Sequence, residues 1–343
     1  MSEYLQYLAQ TATWVIALII LVAVIVAIIA GAAQGNQDDK KEGIVIKSLN
    51  KKIEKYKKSF EKNILDKKAL KLLAKTEKKT KKAQKNELAE VKQNIYVLNF
   101  NGDIKASQVE KMREEISAIL LYAKKEDQVV VKLESPGGMV HGYGLAASQL
   151  KRITDKGIHL TICVDKVAAS GGYMMACIAD KIVAAPFAVI GSIGVVAQIP
   201  NIHKLLKKHD IDVELHTAGK YKRTLTMIGE NTEEGREKFR EDLNDTHELF
   251  KEFVQQNRRR LDIEEVANGD VWYGSQAIKQ NLIDEISTSD EYLNSCCETH
   301  NVWEISYKVK QSPMQKFGKN VEAGIENSIS KQLQHQIHKL WMK

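Results

Sequence analysis

Proline, cysteine and aromatic residues are scarce in this chain of 343 residues. It contains 4 Pro and 4 Cys, and only 6% of its residues are aromatic. So few thiols exclude a disulfide scaffold in a chain of this length, and no C-x-x-C pair indicates a metal or redox site. We interpret the cysteines as unpaired thiols that behave as small apolar side chains. They are Cys163, Cys177, Cys296 and Cys297.

A generally basic surface is also missing, although the formal net charge is +7. Residues 38–92 contain 19 Lys, no Arg and 9 acidic residues, so this stretch alone carries +10. The rest of the chain has 32 basic and 35 acidic residues, a net charge of −3. One basic segment beside a slightly acidic body excludes a general nucleic-acid-binding protein, and we expect no nucleic-acid partner.

Charged residues are absent between Glu3 and Asp38, and residues 14–33 form a charge-free, mainly apolar run of 20. A helix of that length spans about 30 Å, the thickness of the hydrocarbon core of a bilayer. We therefore predict a single transmembrane anchor in residues 1–35. A cleaved signal peptide fits less well, because no Lys or Arg precedes the run and because the run is longer than a signal core.

The Lys-rich stretch is predicted to be a helical spacer over residues 36–93, because no Pro or Gly interrupts it from Ile44 onward. Two interpretations stay open, a solvated stalk or a patch that binds anionic lipid head groups. Its lysines follow the predicted anchor directly, which by the positive-inside rule places the body in the cytoplasm. That rule is weaker for large translocated domains.

From residue 94 the pattern changes to apolar strands that alternate with amphipathic helices. Strands are predicted at 95–100, 128–135 and 158–165, and helices at 108–125 and 144–154. This alternation indicates a parallel α/β domain, which we place at residues 94–300. A further strand is predicted near 212–216, and a long polar helix at about 232–259.

The last stretch, residues 301–343, is predicted to be a tail with an amphipathic helix. Apolar residues recur there at helical spacing and form one stripe. They are Ile325, Ile329, Leu333, Ile337 and Leu340. Three interpretations stay open for this stripe: it packs on the body of the same chain, on another subunit, or on the membrane.

Ser170 follows the predicted strand 158–165 and opens the segment GGYMMACIAD, which can continue as a helix. A serine at a strand-to-helix turn lies near free backbone N–H groups and the positive end of a helix dipole, which favour negative charge. The amide of Gly171 is available to an oxyanion, and Gly171 and Gly172 leave room for a substrate backbone. The competing interpretation of Ser170 is an ordinary helix N-cap.

A nucleophilic serine needs a base. Histidines occur in the same region, but none lies in a marked motif, and the G-x-S-x-G elbow of the α/β-hydrolases is absent. A lysine can act as the base where burial lowers its pKa toward neutrality. Lys222, in a Gly-x-x-Lys turn, is the candidate.

Five motifs stand in a fixed order along the chain. They are SPGG (135–138), AASGGYMMACIADKIVA (168–184), GSIGV (191–195), AGKYKR (218–223) and GDVWYGSQAIKQNLIDEI (269–286). In this order they resemble the signal peptide peptidase A family of membrane serine proteases, over roughly residues 94–290. The chain is most similar to the branch that combines an amino-terminal anchor, a Lys-rich spacer and one protease domain.

The resemblance implies an α/β fold like that of Clp protease and the crotonases, built from repeated β-β-α units, and a Ser-Lys dyad. Ser170 matches the nucleophile. Lys222 matches the general base at the fourth position of Gly-Lys-Tyr-Lys, and Lys220 is its nearby competitor. Gly138 matches the glycine whose amide completes an oxyanion hole with Gly171. The substrate cleft is matched by Gly191, Ser192, Ile193 and Gly194.

The expected activity is that of a membrane-anchored, ATP-independent serine endopeptidase. Its expected substrates are signal peptides or small or unfolded polypeptides, and it needs no metal or other cofactor. The resemblance also implies a single-pass protein of the bacterial inner membrane with its protease domain on the periplasmic side. Self-association as a homo-oligomer is expected, because one catalytic domain alone does not enclose its site. Two alternatives are a catalytically idle scaffold of the same fold and a crotonase-like acyl-CoA enzyme.

Overall fold

The computed structural model of the protein describes residues 13–15, 42–84 and 92–309. The predicted tail helix and nearly all of the predicted anchor lie outside these ranges. Within them, no helix combines the length and apolar character needed to cross a membrane. Residues 44–307 form one compact unit. A second unit comprises residues 1–43 and 308–343, of which residues 13–15 are helical.

Two sheets form the framework of the larger unit. In chain order the strands are β1 (Gly43–Ser48), β2 (Asn94–Asn101), β3 (Gln128–Glu134), β4 (His159–Val164), β5 (Val167–Ala169), β6 (Lys181–Ala184), β7 (Val189–Gly191), β8 (Val271–Tyr273), β9 (Glu285–Ile286) and β10 (Asn301–Lys308). The main sheet has the order β1-β10-β2-β3-β4-β6-β9, and the small sheet has the order β5-β7-β8. The main-sheet pairs from β10 to β9 are parallel, whereas β7 and β8 are antiparallel.

Helices connect these strands and cover the main sheet. In chain order they are α1 (Leu49–Ile64), α2 (Lys67–Gln84), α3 (Val109–Tyr122), α4 (Val140–Asp155), α5 (Gly171–Ala176), α6 (His203–Lys208), α7 (Glu233–Asn257), α8 (Ile263–Val266), α9 (Gly274–Ala277) and α10 (Ser289–Thr299). Strands alternating with helices are the usual origin of a parallel sheet, because each crossover needs a long connection.

Strand β2 shows that the main sheet is buried on both faces. Leu98 and Phe100 belong to the larger core cluster, which includes side chains of α3 and α4. Ile95 and Val97 belong to a smaller cluster, to which α10 contributes Leu293. Successive side chains of a strand point to opposite faces, so a strand that is apolar throughout requires cover on both sides.

The chain passes twice from the main sheet to the small sheet, because β5 follows β4 and β7 follows β6. Strands β5 and β7 pair in parallel. A parallel bridge between Ser135 and Ala168 also joins the end of β3 to β5. The segments that follow β3 and β5 therefore start side by side.

The prediction of a mixed α/β fold with a parallel sheet is confirmed. Two local predictions are wrong. No strand forms near 212–216. Leu215 is exposed there, and Lys207 Nζ donates to the Asp212 carboxylate at 2.7 Å, so the apolar face of this segment is not packed on the core as a half-buried strand requires. Residues 43–48 of the predicted helical spacer form β1, because the β-branched side chains of Ile44, Val45 and Ile46 favour a strand.

The predicted domain limits of 94 and 300 leave out β1 and β10, two strands of the main sheet. Strand β10 pairs with β2 from Asn301 beside Asn94 onward. The Asn50 side chain holds the start of α1 on this part of the fold. Its Nδ2 donates to the carbonyl oxygens of Cys297 and His300, both at 2.9 Å, and its Oδ1 accepts from the Val302 N–H at 2.7 Å.

An ion pair between Arg258 and Asp284 joins the end of α7 to the main sheet. Arg258 Nη1 and Nη2 lie 2.9 and 3.0 Å from the two carboxylate oxygens, and Nη2 also donates to the Asn281 carbonyl at 2.8 Å. The same carboxylate accepts from the Ile182 N–H of β6 at 2.7 Å. The Arg258 side chain is 11% exposed and that of Asp284 is 37% exposed, so the guanidinium is buried while solvent screens the carboxylate in part.

Replacing this carboxylate is expected to destabilise the fold. We expect Asp284→Ala to lower the free energy of unfolding by about 2–3 kcal/mol, because a charge-assisted bond is lost and Arg258 remains buried without its partner. Asp290→Ala is the matched control, because that carboxylate is 85% exposed in its pair with Lys132 and should cost less than about 1 kcal/mol. Chemical denaturation in detergent measures the free energy of unfolding of both variants. Equal losses would contradict a stabilising role for the Arg258–Asp284 ion pair.

Candidate active site

Ser170 stands between β5 and α5, at the strand-to-helix turn expected from the sequence. Its φ of 52° and ψ of −120° are unfavourable for a residue with a side chain. The surrounding backbone holds this conformation: the Ser170 N–H donates to the Gly191 carbonyl at 2.8 Å, and the Ser170 carbonyl accepts from the Met174 N–H at 3.0 Å. The side chain makes no cap hydrogen bond, so the N-cap interpretation of the serine does not apply.

The Ser135–Gly138 loop runs alongside this turn. The Ser135 N–H donates to the Val167 carbonyl at 2.8 Å, and the Ala169 N–H donates to the Ser135 carbonyl at 3.0 Å. Gly137 has a φ of +92°, and a Cβ there would lie 2.7 Å from the Ser170 Cβ and 2.9 Å from the Gly171 nitrogen. The loop backbone therefore contacts Ser170 so closely that no side chain fits at Gly137.

The backbone N–H groups of the loop differ in whether they have an acceptor. The Gly137 N–H donates to Ser135 Oγ at 3.1 Å, and the Met139 N–H donates to the Ile104 carbonyl at 2.8 Å. Among the residues that the structure describes, the N–H of Gly138 between them has no protein acceptor, and neither does that of Gly171 at the start of α5. One unengaged donor directly follows Ser170, and the other directly follows Gly137, whose backbone contacts Ser170. Two free backbone donors near one serine are what an oxyanion hole requires.

The predicted cleft segment, residues 191–194, begins at the carbonyl that accepts from Ser170. Gly191 and Ser192 have φ values of 97° and 50°. The Ser192 N–H donates to the Asp270 carbonyl at 2.7 Å, and the Ile193 carbonyl accepts from the Gly269 N–H at 3.2 Å. Ile193 is fully buried. The start of the segment therefore lies next to Ser170. The backbone of its next two residues is hydrogen-bonded to residues 269–270.

Lys222 is not brought to Ser170 in this structure. Its side chain is exposed, in a loop closed by a bond from the Lys222 N–H to the Gly219 carbonyl at 3.1 Å. No ion pair or hydrogen bond of its ammonium group is found within residues 42–84 and 92–309. Lys220 differs, because its Nζ lies 2.7 Å from a Glu234 carboxylate oxygen, and that hydrogen bond raises its pKa. A lysine held protonated is a poor base, which favours Lys222 over Lys220.

The segment that carries Lys222 exposes many large apolar side chains. Between 37% and 91% of each is accessible to solvent, although the fold buries comparable side chains elsewhere. They are Val196, Ile199, Ile202, Leu205, Ile211, Leu215, Tyr221, Met227 and Ile228. Exposed apolar residues at this density are typical of a surface that another protein surface covers.

Two buried residues beneath the site were not predicted from the sequence. Ser135 belongs to the SPGG motif but has no role of its own in the sequence analysis, and Tyr143 lies outside all five motifs. Their hydroxyl oxygens are 2.5 Å apart, and both residues are fully buried. A tyrosine inside an otherwise apolar helix face was the one available signal. In the described part of the chain, no cluster of three or more His, Cys, Asp or Glu residues is arranged to hold a metal ion.

The chain resembles known proteases over most of its length. Residues 1–150 match the family model "Peptidase family S49 N-terminal", and residues 152–302 match "Peptidase family S49". A "Probable protease SohB" of Haemophilus influenzae is 60% identical over 68% of this chain and 67% of its own length. A "Putative protease SohB" of Buchnera aphidicola subsp. Baizongia pistaciae is 47% identical over 86% of this chain and 88% of its own length.

One solved structure, a mutant of the "1510-N membrane-bound stomatin-specific protease", covers 60% of this chain and 85% of its own. Its sequence identity is 15% and its TM-score is 0.40.

The contact at Gly137 leads to a paired prediction. We expect Gly137→Ala to lower the free energy of unfolding by about 2 kcal/mol or more, because an L-residue is strained at this φ and its Cβ would collide with Ser170. Gly144→Ala is the control, because a Cβ at Gly144 in α4 would meet nothing within 4 Å. It should raise the free energy of unfolding by about 0.5–1 kcal/mol. Similar values from chemical denaturation of the two variants would refute the close contact.

Proposed function

Because the chain belongs to peptidase family S49, whose members are serine proteases that use a Ser-Lys dyad, we propose that Ser170 is its nucleophile and Lys222 its general base. The observation that carries the assignment of Ser170 is its strained turn between two unengaged backbone donors, Gly138 and Gly171. In the loop Ser135–Gly138, Gly138 is the residue whose N–H has no acceptor among the described residues, and it follows Gly137, which contacts Ser170. The cleft is assigned to Gly191, Ser192, Ile193 and Gly194.

Each residue then has one task in peptide hydrolysis. Neutral Lys222 removes the proton from Ser170 Oγ, which attacks the peptide carbonyl carbon. The carbonyl oxygen becomes an oxyanion and accepts hydrogen bonds from the N–H groups of Gly138 and Gly171. The protonated lysine donates its proton to the leaving amine, and water then attacks the acyl-enzyme to release the second product. No step needs a metal ion or a nucleotide.

The proposed substrates are signal peptides and other short or unfolded polypeptides. Apolar side chains stand exposed at the mouth of the loop that holds Gly138: Ile104, Met139 and Val140. The Met139 N–H to Ile104 carbonyl bond fixes two of them side by side. Apolar segments of a substrate would bury this surface. The chain has no Walker motif for an ATP-driven unfolding step, so folded proteins are not expected to be cleaved.

Self-association completes the site in this proposal. The Lys222 segment exposes apolar side chains that a second copy of the chain would cover, and its packing would move Lys222 from solvent toward Ser170. Loss of solvent around the lysine would also favour the neutral form that a base needs. Light scattering in detergent tests this step, because a monodisperse monomer that cleaves substrate would contradict it.

The dyad makes a direct prediction for activity. We expect Ser170→Ala and Lys222→Ala each to lower the rate of casein or peptide cleavage in detergent by at least about 1,000-fold, since each removes a reacting group.

Lys220→Ala is the matched control for Lys222→Ala. It removes a neighbouring lysine of the same loop, so its rate should stay within a few-fold of the unmodified enzyme. Equal rates for the enzyme, Ser170→Ala and Lys222→Ala would refute the dyad and favour a catalytically idle scaffold.

We also propose that the chain is anchored in the bacterial inner membrane by its apolar run, with the protease domain on the periplasmic side. The run of 20 residues has the length of a bilayer span. Helix α1 supports the proposed contact with the membrane. Tyr56, Phe60 and Ile64 lie on one exposed apolar face of this helix, which is otherwise rich in lysine. Such a helix suits the surface of a membrane with anionic lipids.

The orientation can be tested by protease accessibility. We expect protease added to intact spheroplasts to digest the domain of residues 94–300, because that domain faces the outside of the membrane. A cytoplasmic protein of the same cells serves as the control and should be digested only after lysis. Protection of the domain until lysis would place it in the cytoplasm and overturn the proposed orientation.

A further inference from the structure

Tyr143 contacts both sides of the proposed oxyanion hole. Its ring lies directly against Gly171, so close that a Cβ on Gly171 would collide with the Tyr143 ring atoms. Its hydroxyl lies 2.5 Å from Ser135 Oγ, which in turn accepts from the Gly137 N–H at 3.1 Å. The buried Tyr143 side chain therefore contacts Gly171, which carries one proposed donor. Through Ser135 it is also linked to the loop of Gly138, which carries the other.

The protons in this chain of hydrogen bonds can be assigned from the number of donors. The Tyr143 hydroxyl has one proton, and it donates that proton to the Asp103 carbonyl at 2.8 Å. The short contact with Ser135 must then use the Ser135 proton, with Tyr143 as acceptor. The direction is thus fixed, from the Gly137 N–H through Ser135 and Tyr143 to the Asp103 carbonyl. Bonds that run in one direction polarise and strengthen one another.

The surroundings leave this chain little freedom to move. Ser135 and Tyr143 are fully buried. A Cβ at Gly102 would collide with both hydroxyl oxygens, and one at Gly172 would lie 2.5 Å from the Ser135 carbonyl oxygen. These two glycines thus let the backbone close around Ser135 and the Tyr143 hydroxyl group.

We propose that Tyr143, acting through Ser135, is a positioning residue that sets the separation of the Gly138 and Gly171 amides. The proposal rests on the function proposed above for these two amides. Tyr143 does not exchange protons with substrate, since it is fully buried and burial raises the pKa of its hydroxyl. Its contribution is to hold the loop before Gly138 at a fixed distance from the start of α5, so that both donors meet one oxyanion.

The test removes the hydroxyl and keeps the ring. Tyr143→Phe preserves the contact with Gly171 but breaks the link to Ser135 and Asp103. We expect kcat for a fluorogenic peptide to fall at least about 10-fold, because removing one oxyanion donor costs about 10²–10³ and this change displaces a donor without deleting it. KM should stay within about twofold, because the lost interaction is made mainly in the transition state.

Counting active sites separates positioning from a loss of folded enzyme. A fluorophosphonate that labels Ser170 reports the fraction of competent protein, and kcat is expressed per labelled site. Tyr96→Phe is the matched control, because Tyr96 is also buried and its hydroxyl bonds Asp127 at 3.4 Å, in another part of the sheet. It should leave kcat per labelled site unchanged even if the protein is less stable.

Ser135→Ala supplies an independent variant, because it cuts the same chain between Gly137 and Tyr143. If the chain acts as one unit, the double variant Ser135→Ala/Tyr143→Phe should be no slower than Ser135→Ala alone. Additive losses, or an unchanged kcat per labelled site in Tyr143→Phe, would overturn the positioning role. Failure of the proposed function itself would look different, since Ser170 would then not be labelled in the unmodified enzyme.

Discussion

The parallel bridge between Ser135 and Ala168 is the interaction on which the arrangement of the site depends. It consists of two backbone hydrogen bonds, at 2.8 and 3.0 Å, between the end of β3 and strand β5. Strand β3 belongs to the main sheet and β5 to the small one, so the bridge holds the two sheets together at one point. The Ser135–Gly138 loop leaves from one side of the bridge and Ser170 follows the other side. The backbone bridge brings the two segments side by side, and the side chains of Ser135 and Tyr143 are proposed above to set the spacing of their amides.

The sequence predicted this part of the molecule well because its signals are local. A short stretch of sequence is enough to recognise an apolar strand followed by a glycine-rich turn. In a parallel sheet, the carboxyl ends of such strands then meet at the same edge of the sheet. The turn at Ser170 and the elements around it were predicted for this reason. The proposed role of Gly138 rests on the resemblance and on its N–H, which has no acceptor among the described residues.

The parts that the sequence did not predict depend on long-range pairing. Strand β1 lies in a lysine-rich stretch whose composition favours helix, and its place in the sheet depends on β10, more than 250 residues later. Tyr143 is a single polar group on a buried helix face, and its role depends on Ser135 and Asp103, which no sequence spacing connects. The position of Lys222 was not predicted for a different reason. The apolar side chains of its segment are exposed in the described part of the chain, so no packing within it fixes where the lysine lies.

The backbone of Ser170 has a consequence for how the protein can change. A residue with a positive φ is strained by an amount on the order of 1–3 kcal/mol unless it is glycine. A glycine at position 170 would therefore relax the turn while removing the hydroxyl group. On stability alone glycine is the better residue at this position, and the chemistry proposed for the hydroxyl group accounts for the serine. In this proposal catalysis and stability compete at one residue, and a descendant that no longer cleaved peptides would become more stable by losing the proposed nucleophile.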